Sequence, residues 1–205
     1  MDDAARTIKI CHLLTMSTGH GVDTVGDMCN GIRPWPEIFF TRKIVYEPGT
    51  HFVYNSGGTY MLSELISRVT GMCLKDWLQK HLFAPLEITD VSWDKHGDVN
   101  TGAWGLLIAP RDLTKLGLLY LHKGVYNGIR ILTEEWVTEH HTPTFPQTCR
   151  DVPDGAATMD IKFGRTVRGA IVLMEHLASI AWYFRKWIWL LQLLLKKRME
   201  AEFSL

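Results

Sequence analysis

The strongest pattern of apolar positions in this chain lies between residues 60 and 71. Apolar side chains recur there at the spacing of one helical face, at Tyr60, Met61, Leu62, Leu65, Ile66 and Val69. Gly71 stands where a helix ends. Ahead of this helix, Pro48-Gly49 predicts a turn, and residues 51–54 alternate aromatic and β-branched side chains as a short strand does. The pattern predicts a strand that leads into a helix capped by the hydroxyl of Ser56.

Tyr54 is displayed where this strand meets the helix, which is a position where a side chain can take part in chemistry. The alternative interpretation is that Tyr54 only forms the edge of an amphipathic core. The spacing of apolar residues does not separate these two interpretations, because short motifs also occur by chance.

Other segments predict a mostly helical layer. Residues 8–16 predict a short strand or turn leading into a helix, which the glycine-bearing residues 17–21 should end. Residues 33–36 predict a turn. Residues 74–83 and 111–122 predict two further helices, and residues 93–104 predict a polar loop between them.

Two short signals complete this layer near residue 130. Asn127-Gly128 predicts a tight hairpin turn. Thr133 predicts the cap of a last helix, with Glu134 and Glu135 in its first turn, where acidic side chains favour the helix dipole.

The character of the chain changes after residue 141. Residues 142–158 contain three prolines and show no periodicity, and residues 169–195 form an apolar, tryptophan-rich run that ends in Lys196-Lys197-Arg198. The run is almost long enough to cross a membrane. Charged side chains interrupt it, and a central charge costs about 3 kcal/mol on membrane insertion. Membrane contact through residues 169–195 is therefore an alternative that these charges disfavour.

Composition narrows the function classes. The 205 residues include 22 basic and 22 acidic side chains, so the formal net charge is zero, which argues against a nucleic-acid binder. The four cysteines follow neither a metal nor a disulfide pattern and indicate reduced thiols of a cytoplasmic protein. No apolar signal segment opens the chain. The sequence begins within a helical pattern, so we expect that a front end is missing.

Five segments carry a resemblance when they are taken in order. They are Ile8-Lys9-Ile10-Cys11-His12-Leu13-Leu14-Thr15-Met16-Ser17-Thr18-Gly19-His20, the Pro-Gly-Thr-x-Phe-x-Tyr-Asn-Ser stretch, Val69-Thr70-Gly71, Leu82-Phe83-Ala84-Pro85-Leu86, and Gly105-Leu106-Leu107-Ile108-Ala109-Pro110-Arg111-Asp112-Leu113. This order resembles the serine β-lactamase-like family, which includes class C β-lactamases, penicillin-binding-protein-like peptidases, and related esterases and amide hydrolases. The resemblance covers about residues 7–141.

The resemblance implies an α+β fold of the β-lactamase/transpeptidase-like type, of which this chain holds mainly the helical region with an incomplete antiparallel sheet. In the family a Ser-x-x-Lys helix supplies the nucleophile, a Tyr-x-Asn or Tyr-x-Ser motif supplies a proton-transfer group, and a Lys-Thr-Gly-like strand helps form the oxyanion hole. Tyr54 and Ser56 match the second element. Their implied role is general acid/base catalysis and hydrogen bonding to the acyl-enzyme.

The resemblance also implies a small-molecule lactam, amide or ester substrate and requires no cofactor or metal. The first element, however, has no counterpart ahead of Tyr54. Ser92-Trp93-Asp94-Lys95 has the letters of a Ser-x-x-Lys motif but follows Tyr54 and lies in the predicted polar loop. We therefore expect a truncated serine hydrolase domain over residues 1–141 and an inactive fragment.

The third element is missing as well, and residues 142–205 suggest the reason. When this region is back-translated and read one nucleotide out of register, residues 170–189 give a sequence with Asp-Gly-x-Phe-Gly-Gln, which suits the closing strands of the family. The strictest test uses the single-codon residues, which leave no choice of base, at Met159, Met174, Trp182, Trp187, Trp189 and Met199. In the shifted register, each of these codons forces one particular residue together with the codon that follows it. Each forced residue suits the family pattern. We expect an out-of-frame tail, with the change between residues 141 and 159.

Several alternatives stay open at this stage. Beside the hydrolase fragment stand a membrane-associated, non-catalytic protein anchored by the apolar run and a non-catalytic binding module. His12 and His20 fit structural roles near the motif, and Trp93 and Trp104 fit either a pocket or a core. His140-His141 lacks a third metal ligand at a suitable spacing.

Overall fold

The computed structural model of this chain describes residues 3–140. The predicted second unit at residues 142–205, its apolar run at residues 169–195 and the change of reading frame after residue 141 all lie outside the described residues. The His140-His141 pair is also outside, because the description of side chains ends at residue 138.

A 15-residue helix, α4 (Ser56–Thr70), is the longest element of the described chain. It ends at Gly71, whose φ of 68° lies in the left-handed region, so the predicted helix and its glycine stop are confirmed. Four short helical elements precede it, namely a 3-10 helix (Asp3–Thr7), α1 (Ile10–Leu14), α2 (Val25–Asn30) and α3 (Trp35–Thr41).

The helix predicted over residues 74–83 is present in two parts. Helix α5 (Leu74–Leu78) continues directly into a π-helical turn (Gln79–Phe83). The backbone N–H of Ala84 donates to the Gln79 carbonyl at 2.9 Å, which is the five-residue spacing of a π-helix. The remaining elements are β1 (Val91–Trp93), β2 (Lys95–His96), β3 (Val99–Asn100), β4 (Leu106–Ile108), α6 (Pro110–Leu121), β5 (Val125–Tyr126), β6 (Ile129–Arg130) and α7 (Glu134–His140).

The strands of the described chain form three two-stranded antiparallel ladders. β1 pairs with β4 so that Ser92 lies opposite Leu107, β2 pairs with β3, and β5 pairs with β6. The last pair turns at Asn127 and Gly128, whose φ values of 47° and 78° are both positive, as a type I′ hairpin requires. This confirms the Asn-Gly prediction. Thr133 also caps α7 as predicted, since its hydroxyl oxygen accepts from the Trp136 N–H at 3.2 Å.

Three local predictions were wrong. Residues 93–104 are not simply a polar loop, because Trp93 ends β1 and a hairpin of β2 and β3 follows it. Residues 51–54 are not a strand, and the backbone bond from the Val53 N–H to the Met16 carbonyl, 2.9 Å long, does not extend into a ladder. Residues 33–36 are not only a turn, since α3 already begins at Trp35.

The end of α1 also differs from the prediction. The helix stops at Leu14, and Met16, rather than a glycine, takes the left-handed conformation with φ of 56°. The Ser17 N–H donates to the His12 carbonyl at 2.8 Å and the Met16 N–H to Leu13 at 3.4 Å, which is the Schellman pattern of a helix end. A buried methionine thus occupies a position that usually favours glycine.

Helix α4 presents different faces to two apolar clusters. Leu62 and Ile66 belong to the larger one, which contains α5, the π-helical turn, β1, α6 and α7. Tyr60 and Met61 belong to the smaller one, which contains residues of α2 and α3. Because both cores use α4, the two parts of the described chain are joined through this helix.

The approach of the residue 100–103 loop to α4 can be tested at Gly102. A Cβ added there would lie 3.0 Å from the Thr59 carbonyl oxygen and 3.3 Å from the Ser63 Cβ, and φ is +76°. Gly97 is the matched control, since its φ is +59° but a Cβ would meet nothing within 4 Å. We expect Gly97→Ala to cost about 1 kcal/mol of unfolding free energy and Gly102→Ala about 2 to 4. Urea denaturation measures both, and equal losses would contradict the close packing.

Candidate functional site

Tyr54 is half-buried and lies directly before α4. Its backbone is held on both sides. On one side the Val53 N–H donates to the Met16 carbonyl at 2.9 Å. On the other side Asn55 is the N-cap residue of α4 and is 1% exposed. The predicted site residue Tyr54 therefore stands between two fixed neighbours.

Asn55, rather than Ser56, caps the helix. Its Oδ1 accepts from the Gly58 N–H at 3.2 Å, from the Thr24 N–H at 3.2 Å and from the Thr24 hydroxyl at 2.8 Å. Ser56 is the first residue of the helix and is 8% exposed. The prediction of a Ser56 cap was therefore wrong. An asparagine directly before the apolar period was the signal that identifies this cap.

Asp23 adds a second side-chain acceptor at the same helix end. Its Oδ1 accepts from the Ser56 N–H at 2.8 Å and, at 3.4 Å, from the Gly57 N–H. Together with Asn55 it engages the first three backbone N–H groups of α4, which have no acceptor inside the helix. These groups are therefore already engaged by the protein and are not offered to a bound oxyanion.

Gly57 allows α4 to approach the loop that precedes α2. A Cβ at this position would collide with the Thr24 hydroxyl and would lie 2.6 Å from the Met28 sulfur. The glycine is thus required by close contact between two segments and not by an unusual backbone angle. It brings the helix start within hydrogen-bonding distance of Asp23 and Thr24.

Ser92 and Lys95, which have the letters of a nucleophile motif, lie on β1 and β2 and are both exposed. A Ser-x-x-Lys nucleophile needs the two side chains on adjacent turns of one helix. Their strand conformation agrees with the expectation that this pair is not the nucleophile.

His20 is 2% exposed and is bonded through both ring nitrogens. Its Nε2 lies 3.1 Å from the Phe39 carbonyl oxygen and its Nδ1 lies 2.9 Å from the Thr18 hydroxyl. Because a carbonyl can only accept, Nε2 carries the proton. Burial lowers the pKa of His20; the nearby Arg42 also lowers it and the Phe39 bond opposes the shift. His20 is therefore a structural histidine.

His12 lies at the start of α1, where its Nδ1 accepts from the Lys9 N–H at 3.2 Å. Partial burial, together with the charge of Lys9, lowers the pKa of His12. A Cβ added at Gly49 would be 3.0 Å from the His12 Nε2, so the imidazole packs against the turn before Tyr54.

The two tryptophans named by the sequence belong to packing. Trp93 is 7% exposed and its indole N–H donates to the Trp104 carbonyl at 2.9 Å. Trp104 is half-buried and packs near Trp35, with ring centroids 6.0 Å apart. Tyr60 lies in the same cluster, and burial, together with the Glu64 carboxylate, raises the pKa of its phenol.

A shallow cavity of about 460 Å³ lies beside α2 and α3, and neither Tyr54 nor Ser56 lines it. Its guanidinium groups already have carboxylate partners, Arg33 with Glu37 and Arg42 with Asp27. Among residues 3–140, no group of three potential ligands is arranged to hold a metal. Within the same residues, no helix has the length and apolar character needed to cross a bilayer.

Comparison with known proteins gives one family. The family model described as Beta-lactamase matches residues 2–159. A lovastatin esterase from Penicillium rubens is 33% identical over 100 residues, covering 43% of this chain and 25% of that protein. The resemblance stated from the sequence is thereby confirmed. The match extends past residue 141, whereas the boundary predicted there remains a prediction.

Two solved structures show the same fold. The octameric penicillin-binding protein homologue from Pyrococcus abyssi has a TM-score of 0.51 and 23% identity, over 69% of this chain and 40% of that one. A penicillin binding protein from Bacillus halodurans has a TM-score of 0.51 and 18% identity, over 69% and 53%. The predicted α+β class of the β-lactamase/transpeptidase-like fold is confirmed. This chain spans a quarter of the esterase and about half of these structures.

The buried His20 predicts a pH dependence of stability. Its pKa is lowered in the folded state, so the unfolded chain binds the proton more readily. The contribution of neutral His20 to the free energy of unfolding is complete above the pKa of the unfolded state, about 6.5, and is lost as the pH falls through the pKa of the folded state. When the pH is lowered from 7.5 to 5, the melting temperature should fall less for His20→Gln than for the parent protein. The exposed His122→Gln is the control, and equal slopes for all three proteins would contradict this role.

Proposed function

This chain belongs to the Beta-lactamase family of hydrolases, and on that premise we propose that it carries the tyrosine element of a serine hydrolase that acts through an acyl-enzyme. Tyr54 is the general acid/base of this element and Ser56 hydrogen-bonds the acyl-enzyme and the leaving group. The observation that carries the proposal is the fixed backbone of Tyr54 between the Met16 contact and the Asn55 cap.

Fixed geometry supports this role for Tyr54. A group that transfers protons must stay within hydrogen-bonding distance of the reacting atoms. The Val53 and Asn55 contacts restrict the backbone on either side of the tyrosine, while the half-buried side chain keeps part of its surface open to a ligand.

We also propose that the 205-residue chain by itself does not complete the reaction. A covalent route requires an activated nucleophile. Ser92 and Lys95, which have the letters of a Ser-x-x-Lys pair, are exposed and lie on two separate strands. Of the three elements that converge in the family, residues 3–140 thus supply the tyrosine element.

The proposed substrate of the complete serine hydrolase that contains this tyrosine element is a small amide, lactam or ester. Family membership supports amide and ester bonds in general, and the similarity to a lovastatin esterase favours an ester. We propose a cytoplasmic location, which the free thiols of Cys11, Cys29 and Cys73 support. No cofactor is proposed for this chemistry.

Covalent labelling tests the proposed inactivity of the chain. We expect the purified 205-residue protein to acquire no label from a fluorescent penicillin or a fluorophosphonate, because Ser92 and Lys95 lie on separate strands and do not form an activated pair that could attack either probe. Gel fluorescence and intact-mass measurement detect the adduct. A label that disappears in Ser92→Ala would show that the exposed pair is a nucleophile and would overturn this part of the proposal.

A chimera tests the role of Tyr54. Residues 10–140 would replace the aligned segment of the Bacillus halodurans relative, which would supply the remaining elements. We expect Tyr54→Phe to lower kcat/KM for a p-nitrophenyl ester by about 10²- to 10⁴-fold, because the phenol proton is lost from acid/base catalysis. Tyr126→Phe, on the β5–β6 hairpin, is the matched control and should change kcat/KM for this ester little. Equal rates for both variants of an active chimera would contradict the role of Tyr54.

A further inference from the structure

The carboxylate of Asp23 joins the loop before α2 to the start of α4. Asp23 and Ser56 are 33 residues apart in the sequence, yet the carboxylate accepts from the Ser56 N–H at 2.8 Å. We propose that Asp23 is a positioning residue that fixes the Tyr54–Ser56 segment for catalysis. This inference rests on the role proposed above for Tyr54 and Ser56.

The first reason is that one carboxylate oxygen fixes two segments at once. Oδ1 of Asp23 accepts from the Val25 N–H at 3.0 Å, which sets its own loop, and from the Ser56 and Gly57 N–H groups, which set the helix start. The side chain cannot move without breaking bonds in both segments.

The second reason is charge. Asp23 is half-buried at the N-terminal end of a 15-residue helix. This end carries a partial positive charge, and hydrogen bonds from N–H groups to a carboxylate are stronger than those between neutral groups. The negative charge therefore strengthens the attachment at the place where Ser56 begins the helix.

The third reason is that the neighbouring contacts act in the same direction. Thr24 donates to Asn55 through both its N–H and its hydroxyl, and the Met16 carbonyl accepts from the Val53 N–H. Contacts from the segment between Met16 and Thr24 therefore lie on both sides of Tyr54. Among the residues of that segment that make these contacts, Asp23 alone has a charged side chain, and it is not the cap residue of α4.

Accurate placement matters for the proposed chemistry. Displacing a reacting group by about 1 Å can lower a rate by about 10²-fold. Loss of the Asp23 carboxylate would release the N–H groups of Ser56 and Gly57 and allow the first turn of α4 to open. Tyr54 would then lose the fixed support on its C-terminal side.

The experiment uses the full 205-residue chain labelled with 3-fluorotyrosine. Fluorine NMR reports the Tyr54 ring, assigned by Tyr54→Phe, and amide hydrogen exchange reports the Ser56 and Gly57 N–H groups. We expect Asp23→Ala to speed exchange at these two amides about tenfold and to shift the Tyr54 resonance. Asp23→Asn, which keeps an acceptor oxygen but removes the charge, should restore only part of the protection. Asp27→Ala is the matched control, because its carboxylate pairs with Arg42.

Two results would overturn the proposal. Unchanged exchange at Ser56 and Gly57 in Asp23→Ala would show that the carboxylate does not hold the helix start. Faster exchange throughout α6 with shifts of every tyrosine would show a general effect on stability. If Asp23→Ala does not fold, Asp23→Glu keeps the charge but displaces the oxygens, so it should still speed exchange at both amides, and unchanged exchange would overturn the proposal.

These measurements need no catalysis, so their failure would leave the proposed hydrolase function untouched. Conversely, a chimera that does not depend on Tyr54 would remove the catalytic meaning of the segment, while exchange at Ser56 and Gly57 would still show whether Asp23 fixes it.

Discussion

The first turn of helix α4 leaves backbone N–H groups without acceptors inside the helix. The need to provide acceptors for these groups determines how the segments around α4 are placed. Asn55 provides one acceptor from within the local sequence, whereas Asp23 provides the other from a separate loop. Because both side chains accept from the same helix end, the loop before α2 must lie against the start of α4. Gly57 makes this approach possible, since a larger residue would collide with Thr24.

The position of this helix then decides where the two cores form. Leu62 and Ile66 direct one face of α4 into the larger cluster, and Tyr60 and Met61 direct another into the smaller one. Gly102 lets a loop between β3 and β4 approach the helix backbone near Thr59. The helix that begins beside Tyr54 is therefore also the element that joins the two cores, so the candidate site is attached to both of them.

The family relationship agrees with the arrangement of the described elements. Tyr54 is held in place, whereas Ser92 and Lys95, which have the Ser-x-x-Lys letters, are exposed residues on two separate strands. Contacts with Met16, Asp23 and Thr24 hold the Tyr54 segment, and neither Ser92 nor Lys95 takes part in them. The contacts that hold this segment therefore do not by themselves identify its chemistry, since a fold does not determine function.

The sequence by itself determined those features that depend on residues only a few positions apart. Helix α4 and its Gly71 stop, the Asn127-Gly128 hairpin and the Thr133 cap follow from periodicity, positive φ and side-chain capping within a few residues. The ordered motifs likewise determined the family. Tertiary structure decided what depends on distant partners, namely the Asp23 contact across 33 residues, the left-handed Met16 and the irregular backbone of residues 51–54. A contact between separate segments leaves no periodic trace, and a strand forms only where a neighbouring backbone continues the ladder.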